Sequence, residues 1–206
     1  MKQIRIHPWP VRLMHWLNAL CMVCMFMSGW AIYNASPLLA SRFPVELTVG
    51  GWLGGSLAWH FAFMWVLVIN GLLYLIHGLA SRHFQRDLLP VTACSVGRDL
   101  RAALRLELKH EHGVYNALQR LMYWLVLAAG VLIAASGLAI WKPVQLQTLA
   151  ALLGGYDTAR YVHFTAMAAI GAFVVVHVAM VLLVPKTFLP MITGGKRDDT
   201  RGENRT

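Results

Sequence analysis

Charge is scarce in this sequence. Only 13% of its 206 residues are Asp, Glu, Lys or Arg, and nine of those are acidic. A soluble domain carries charge on about 25% of its residues, so a soluble globular chain of this length is excluded. Cysteine is scarce as well, with three in all. Cys21 and Cys24 form a C-x-x-C, but it lies inside an apolar run, where packing is the reading rather than zinc or thiol exchange. No histidine follows Cys24, which excludes a c-type haem attachment site. Cys94 falls in a basic connection and is expected to stay a thiol. The first apolar run lacks a small-residue cleavage site, so it is not read as a cleaved signal peptide.

Hydrophobic residues make up 58% of the chain. Four segments reach the roughly 20 residues that a bilayer helix needs, at about 13–33, 57–79, 118–141 and 161–184. The expected fold is all-α: an integral membrane four-helix bundle forming a single domain over residues 1–193. Residues 194–206 (GGKRDDTRGENRT) read as a disordered tail.

The net charge of +9 does not point to nucleic acid, because it is distributed by side. Lys2, Arg5 and Arg12 precede the first segment. Arg82, Arg86, Arg98, Arg101, Arg105 and Lys109 lie between the second and third, with Arg120 at the start of the third. Lys186, Lys196, Arg197, Arg201 and Arg205 follow the fourth. The other two connections hold only Arg42, Lys142 and Arg160. This asymmetry puts both termini in the cytoplasm, with anionic lipid as the contact of the basic residues.

Between the spans the chain is less informative. Asn34 to Ser56, with Gly50-Gly51 and Gly54-Gly55, reads as a compact outer loop with one turn around Phe43–Leu47. Arg98 to Leu108 alternates charge with leucine at helical spacing, as an amphipathic helix on the inner surface or a solvated linker. His110 and His112 in KHEH read as solvated, and so does His83, while His7 lies outside the span and reads as an ordinary interfacial residue. The third apolar segment has no histidine, and its Ala128-Ala129-Gly130 and Ala134-Ala135-Ser136-Gly137 suit close helix packing.

The fourth segment carries His163 and His177 within an otherwise uncharged run. Fourteen residues turn the helix to within about 40° of four whole turns, so both rings share a face, about 21 Å apart along the axis. That puts one in each leaflet. Ionisable groups at such depth are costly and mark function, the alternative being histidines that only hydrogen-bond to neighbouring helices. Depth also supplies partners. His15 starts the first span on the inner side, level with His177, and His60 starts the second on the outer side, level with His163. Two cross-helix histidine pairs stacked through a bundle are what two bis-histidine haem b groups require. His77 competes for the inner pair, but it sits about 100° around the helix from His60 and reads as interfacial. Arg12 and Arg160 each precede a candidate ligand by three residues, placed either to meet haem propionates or to snorkel as topology anchors. With both axial positions filled, such haems pass single electrons and leave no open site for oxygen.

The pattern resembles the bacterial cytochrome b561 family, in particular the four-helix di-haem subunits of nickel-iron hydrogenases, formate dehydrogenase-N and thiosulfate reductase. The motifs are R-x-x-H-W at Arg12–Trp16, W-H at Trp59–His60, Y-N-A-x-Q-[KR] at Tyr115–Arg120 and H-x(13)-H at His163–His177, over about residues 9–193. The resemblance implies the same four haem ligands. It also implies a quinone pocket beside the cytoplasmic haem, involving Asn116 with Tyr115 and Gln119. The expected function is electron transfer between the quinone pool and a periplasmic redox partner, such as a molybdenum oxidoreductase. The alternative is a stand-alone superoxide:ubiquinone oxidoreductase, with Lys142 and Arg160 attracting the anion.

Overall fold

The computed structural model describes residues 8–81, 88–89, 91–105, 116–185 and 188–195, and among these there are helices and no strands. In chain order they are α1 (Trp9–Ala35), a short 3-10 helix (Val45–Leu47), α2 (Leu53–Ala80), α3 (Ala93–Leu104), α4 (Ala117–Trp141), α5 (Gln147–Leu152), α6 (Tyr156–Leu183) and α7 (Phe188–Thr193). Helices α1, α2, α4 and α6 are each long and apolar enough to cross a membrane. At 25 to 28 residues they extend about 38–42 Å, beyond a hydrocarbon core of about 30 Å. Many of their large apolar side chains are exposed and nearly all the others only partly covered, as expected of surfaces meant for lipid.

The sequence placed three of these helices too short at their N-terminal ends, and each has a local reason. Helix α1 starts at Trp9 rather than near Leu13, because Pro10 sits in the first turn, where a missing N–H costs nothing. Helix α2 starts at Leu53, taking Gly54 and Gly55 into its first turn. A Cβ on Gly54 would lie 2.3 Å from the Trp52 ring, and one on Gly55 would lie 2.2 Å from the Gly50 carbonyl oxygen. These glycines serve close packing rather than a loop. Helix α6 starts at Tyr156, straight after Gly154 and Gly155, whose φ of 81° and 91° make the turn.

Helix α3 also begins earlier than the Arg98–Leu108 pattern indicates. Thr92 and Ser95 exchange side-chain and backbone bonds (Ser95 N–H to Thr92 Oγ1 and Thr92 N–H to Ser95 Oγ, both 3.3 Å), which fixes the start at Ala93. Residues 106–108 of that pattern and the tail from residue 196 lie outside the described residues.

The chain divides into two compact units, one of Met1–Leu75 with Val178–Thr206 and one of Ile76–His177. In the first, α1 and α2 are joined by polar contacts. Asn70, 4% exposed, donates through Nδ2 to Asn18 Oδ1 at 2.7 Å and to the Met14 carbonyl at 2.9 Å. The outer loop is fastened to α1 by Asn34, which exchanges two 2.9 Å bonds with the backbone of Phe43, and by Trp30 stacked on the Phe43 ring at 4.9 Å. At the other end of α1, Trp16 Nε1 donates to the Met191 carbonyl at 3.2 Å, so α7 is docked on α1.

In the second unit, small residues Ala139, Ala150 and Ala159 form a buried cluster that joins α4, α5 and α6. Asp99 of α3 accepts from the N–H of Ala117, the first residue of α4, at 2.7 Å. A carboxylate there satisfies an orphan donor at a helix N-terminus and suits its partial positive charge.

Candidate functional site

Each unit presents one histidine built into the same arrangement. In the first unit His60, about two turns into α2, faces Ser28 of α1, with His60 Nδ1 3.0 Å from Ser28 Oγ. In the second unit His163, about two turns into α6, faces Ser136 of α4, with His163 Nδ1 3.1 Å from Ser136 Oγ. His163 Nδ1 also lies 3.0 Å from the Ile133 carbonyl. A carbonyl oxygen can only accept, so His163 carries its proton on Nδ1. The lone pair then resides on Nε2, the nitrogen such a tautomer offers to a metal.

Glycine stands beside both rings. A Cβ on Gly29 would lie 3.5 Å from His60 Cε1, and one on Gly137 would lie 3.1 Å from His163 Cε1. The first is ordinary contact and the second is tight, so the α4–α6 approach at His163 depends on the absence of a side chain. Sequence reading missed Ser28 and took Ser136 and Gly137 for generic packing. The available signal was the dipeptide Ser-Gly, at 28–29 and again at 136–137, each in the long helix preceding a histidine-bearing one.

The other candidates are placed as follows. His15 is half-buried in α1, with Trp16 edge-on at 5.3 Å. His177 is exposed on α6 and stacks on Phe173, one turn earlier, at 5.9 Å. His77 is exposed near the end of α2. Arg12 donates from Nη1 to the Ile192 carbonyl, while its Nε is buried and has no hydrogen-bond partner among the described residues. Arg160 is half-buried in the first turns of α6.

Asn116 is the N-cap of α4 and forms a capping box with Gln119. Its Oδ1 accepts from Gln119 N–H at 2.8 Å, and Gln119 Oε1 accepts from Asn116 N–H at 3.1 Å. The box uses both amide oxygens and leaves both NH₂ groups outside the cap. Tyr115, with His7, His83, His110 and His112, lies outside the described residues.

Among the described residues, no three His, Cys, Asp or Glu side chains gather into a metal cage. Instead, long apolar helices carry two imidazoles fixed through Nδ1, an arrangement suited to a membrane protein that binds a prosthetic group. Residues 6–194 match the prokaryotic cytochrome b561 family, and the chain belongs to it. It is also 48% identical over 190 residues, 92% of this chain and 96% of the relative, to a protein of Azospira oryzae with the provisional name protein-methionine-sulfoxide reductase subunit YedZ1. Family membership makes the chain a multi-pass membrane protein of electron transport that binds haem b. His60 and His163 fit that group: each ring is anchored at Nδ1, and glycine gives it room.

The two glycines yield a graded expectation. Gly137→Ala forces a methyl group against the His163 ring and should cost about 1–3 kcal/mol of stability or displace the ring. It should therefore lower haem b per purified chain, while Gly29→Ala should stay near wild type. Haem absorbance against protein concentration checks this; equal haem in both variants would contradict it.

Proposed function

We propose that the chain carries single electrons across the bacterial inner membrane through two haem b groups, linking the quinone pool to a periplasmic redox partner. His15 and His177 hold the haem on the cytoplasmic side, where both termini lie. His60 and His163 hold the periplasmic one. The observation that carries this reading is the matched anchoring of His60 and His163 through Nδ1. Their level near the starts of α2 and α6, and that of His15 near the start of α1, support the pairing by depth. Haem b with two imidazole ligands supplies one-electron redox chemistry and offers no open coordination site.

The remaining roles belong to this chain's own side chains. A quinone presents two acceptor oxygens and needs donors. The NH₂ groups of Asn116 and Gln119, which the capping box does not use, supply them, and the family resemblance adds Tyr115 to the same role. Arg12 and Arg160 lie one turn before His15 and His163, within reach of propionates on opposite sides. The buried, unpartnered Nε of Arg12 is a donor suited to such a carboxylate. The name of the YedZ1 relative, a subunit of a protein-methionine-sulfoxide reductase, favours a reductase as the redox partner; a reductase consumes electrons, so in this reading quinol would be their source.

Pyridine haemochrome assay of the purified protein should give two haem b per chain. Ala substitutions of His15, His60, His163 and His177, one at a time, should each remove one of them. A single haem, or none, in the unmodified protein would contradict the reading.

The quinone assignment has its own test. Asn116→Asp keeps the capping oxygen but loses the NH₂ donor. It should slow reduction of the haems by quinol about tenfold, the worth of one hydrogen bond to substrate, with haem content unchanged. An unchanged rate in stopped-flow reduction would remove Asn116 from the site.

A further inference from the structure

Ser28 and Ser136 are buried hydroxyls inside long apolar helices, each one to two turns from the helix C-terminus. Ser28 Oγ donates to the Cys24 carbonyl, one turn earlier, at 2.7 Å, with the Met25 carbonyl at 3.3 Å. Ser136 does the same, with Leu132 at 2.7 Å and Ile133 at 3.2 Å. A hydroxyl has one proton, and in both serines the backbone takes it. What each serine turns toward its histidine is therefore a lone pair, and Nδ1–H must be the donor. The same device occurs twice, in two separate units, each time with a glycine as the next residue and a histidine on the following long helix. Packing alone needs no such agreement of donor, acceptor and partner.

We infer that Ser28 and Ser136 are positioning residues that set the reduction potential of the haem held by His60 and His163. This rests on the proposed function for the pairing of those two histidines. An acceptor on Nδ1–H gives the imidazole more imidazolate character and makes it a stronger donor to iron. A stronger donor stabilises the ferric state and lowers the potential. The serines also lock each ring in the tautomer and orientation that ligation needs, without placing a charge in the bilayer, where a carboxylate would be costly. At His163 the Ile133 carbonyl shares the bond, so that ring keeps an acceptor when Ser136 is changed.

The test is a spectroscopically monitored redox titration of the detergent-purified protein, with Ser28→Ala, Ser136→Ala, the double variant and the two Ser→Thr variants. In the double variant the ferrous-to-ferric ratio of the periplasmic-side haem should rise about tenfold at fixed ambient potential, equivalent to about 59 mV for one electron. Each single variant should give a smaller shift in the same direction, and Ser→Thr should restore the original value. The potential of the haem held by His15 and His177 should not move. If an Ala variant loses the haem and the Thr variant regains it, the hydroxyl is still shown to be the operative group. An unmoved potential in the double variant, or haem loss in both Ala and Thr variants, would overturn the inference. Titrating His60→Ala and His163→Ala alongside separates this failure from that of the pairing. If those two remove different haems, the proposed function falls first and takes the serine role with it.

Discussion

An imidazole inside a membrane has two nitrogens to satisfy and no water to satisfy them. One nitrogen can go to a metal only if the other is hydrogen-bonded to a group that costs little to bury. Here that group is a serine hydroxyl whose own proton is already taken by its helix backbone, at 2.7 Å in both Ser28 and Ser136. Much of the nearby architecture follows from bringing such a serine to a histidine. Gly29 and Gly137 keep the ring side clear, and at Gly137 a methyl group would come within 3.1 Å of His163. Asn70 reaches Asn18 and Met14 ten residues and more from the Ser28 level, so the α1–α2 contact is held at a second height.

Other contacts are made at helix ends. Asp99 and Asn116 both satisfy N–H groups at the start of α4, and Gln119 closes the capping box. Fixing that terminus fixes the direction of the amide NH₂ groups on the proposed quinone side. Arg12 and Trp16, which flank His15 on α1, bind carbonyls of α7, so the segment after the last span is tied to the neighbourhood of His15.

The four spans were legible because their signal is collective: each is a long run with almost no charge, and no local detail can mask it. Their starts were less so. Pro10, Gly54 and Gly55 have the composition of loops, and only the Trp52 ring and the Gly50 carbonyl, lying where a Cβ would project, show why glycine belongs inside a helix. Histidine depth could be read from rise per residue, since it needs only one helix at a time. Partners across helices could not, because 3.6-residue periodicity says which side chains share a face and nothing about what that face meets. Hence Ser28 went unnoticed, Ser136 passed as a packing residue, and Arg12 was not foreseen at the Ile192 carbonyl. Asn116 is the reverse case. An Asn at a helix start is an ordinary N-cap, and the structure shows it capping; only the resemblance to b561 proteins suggested a second role for the same side chain.

The measurement that bears most directly on this account is electron paramagnetic resonance of the fully oxidised protein, compared with its His60→Ala and His163→Ala variants. Two imidazoles on one iron give a low-spin ferric centre, and removing either one weakens the ligand field of that centre alone. The account predicts two low-spin signals in the unmodified protein and loss of the same one in both variants. If the two substitutions abolish different signals, or if neither changes the spectrum, His60 and His163 do not share an iron and the transmembrane relay proposed here is wrong.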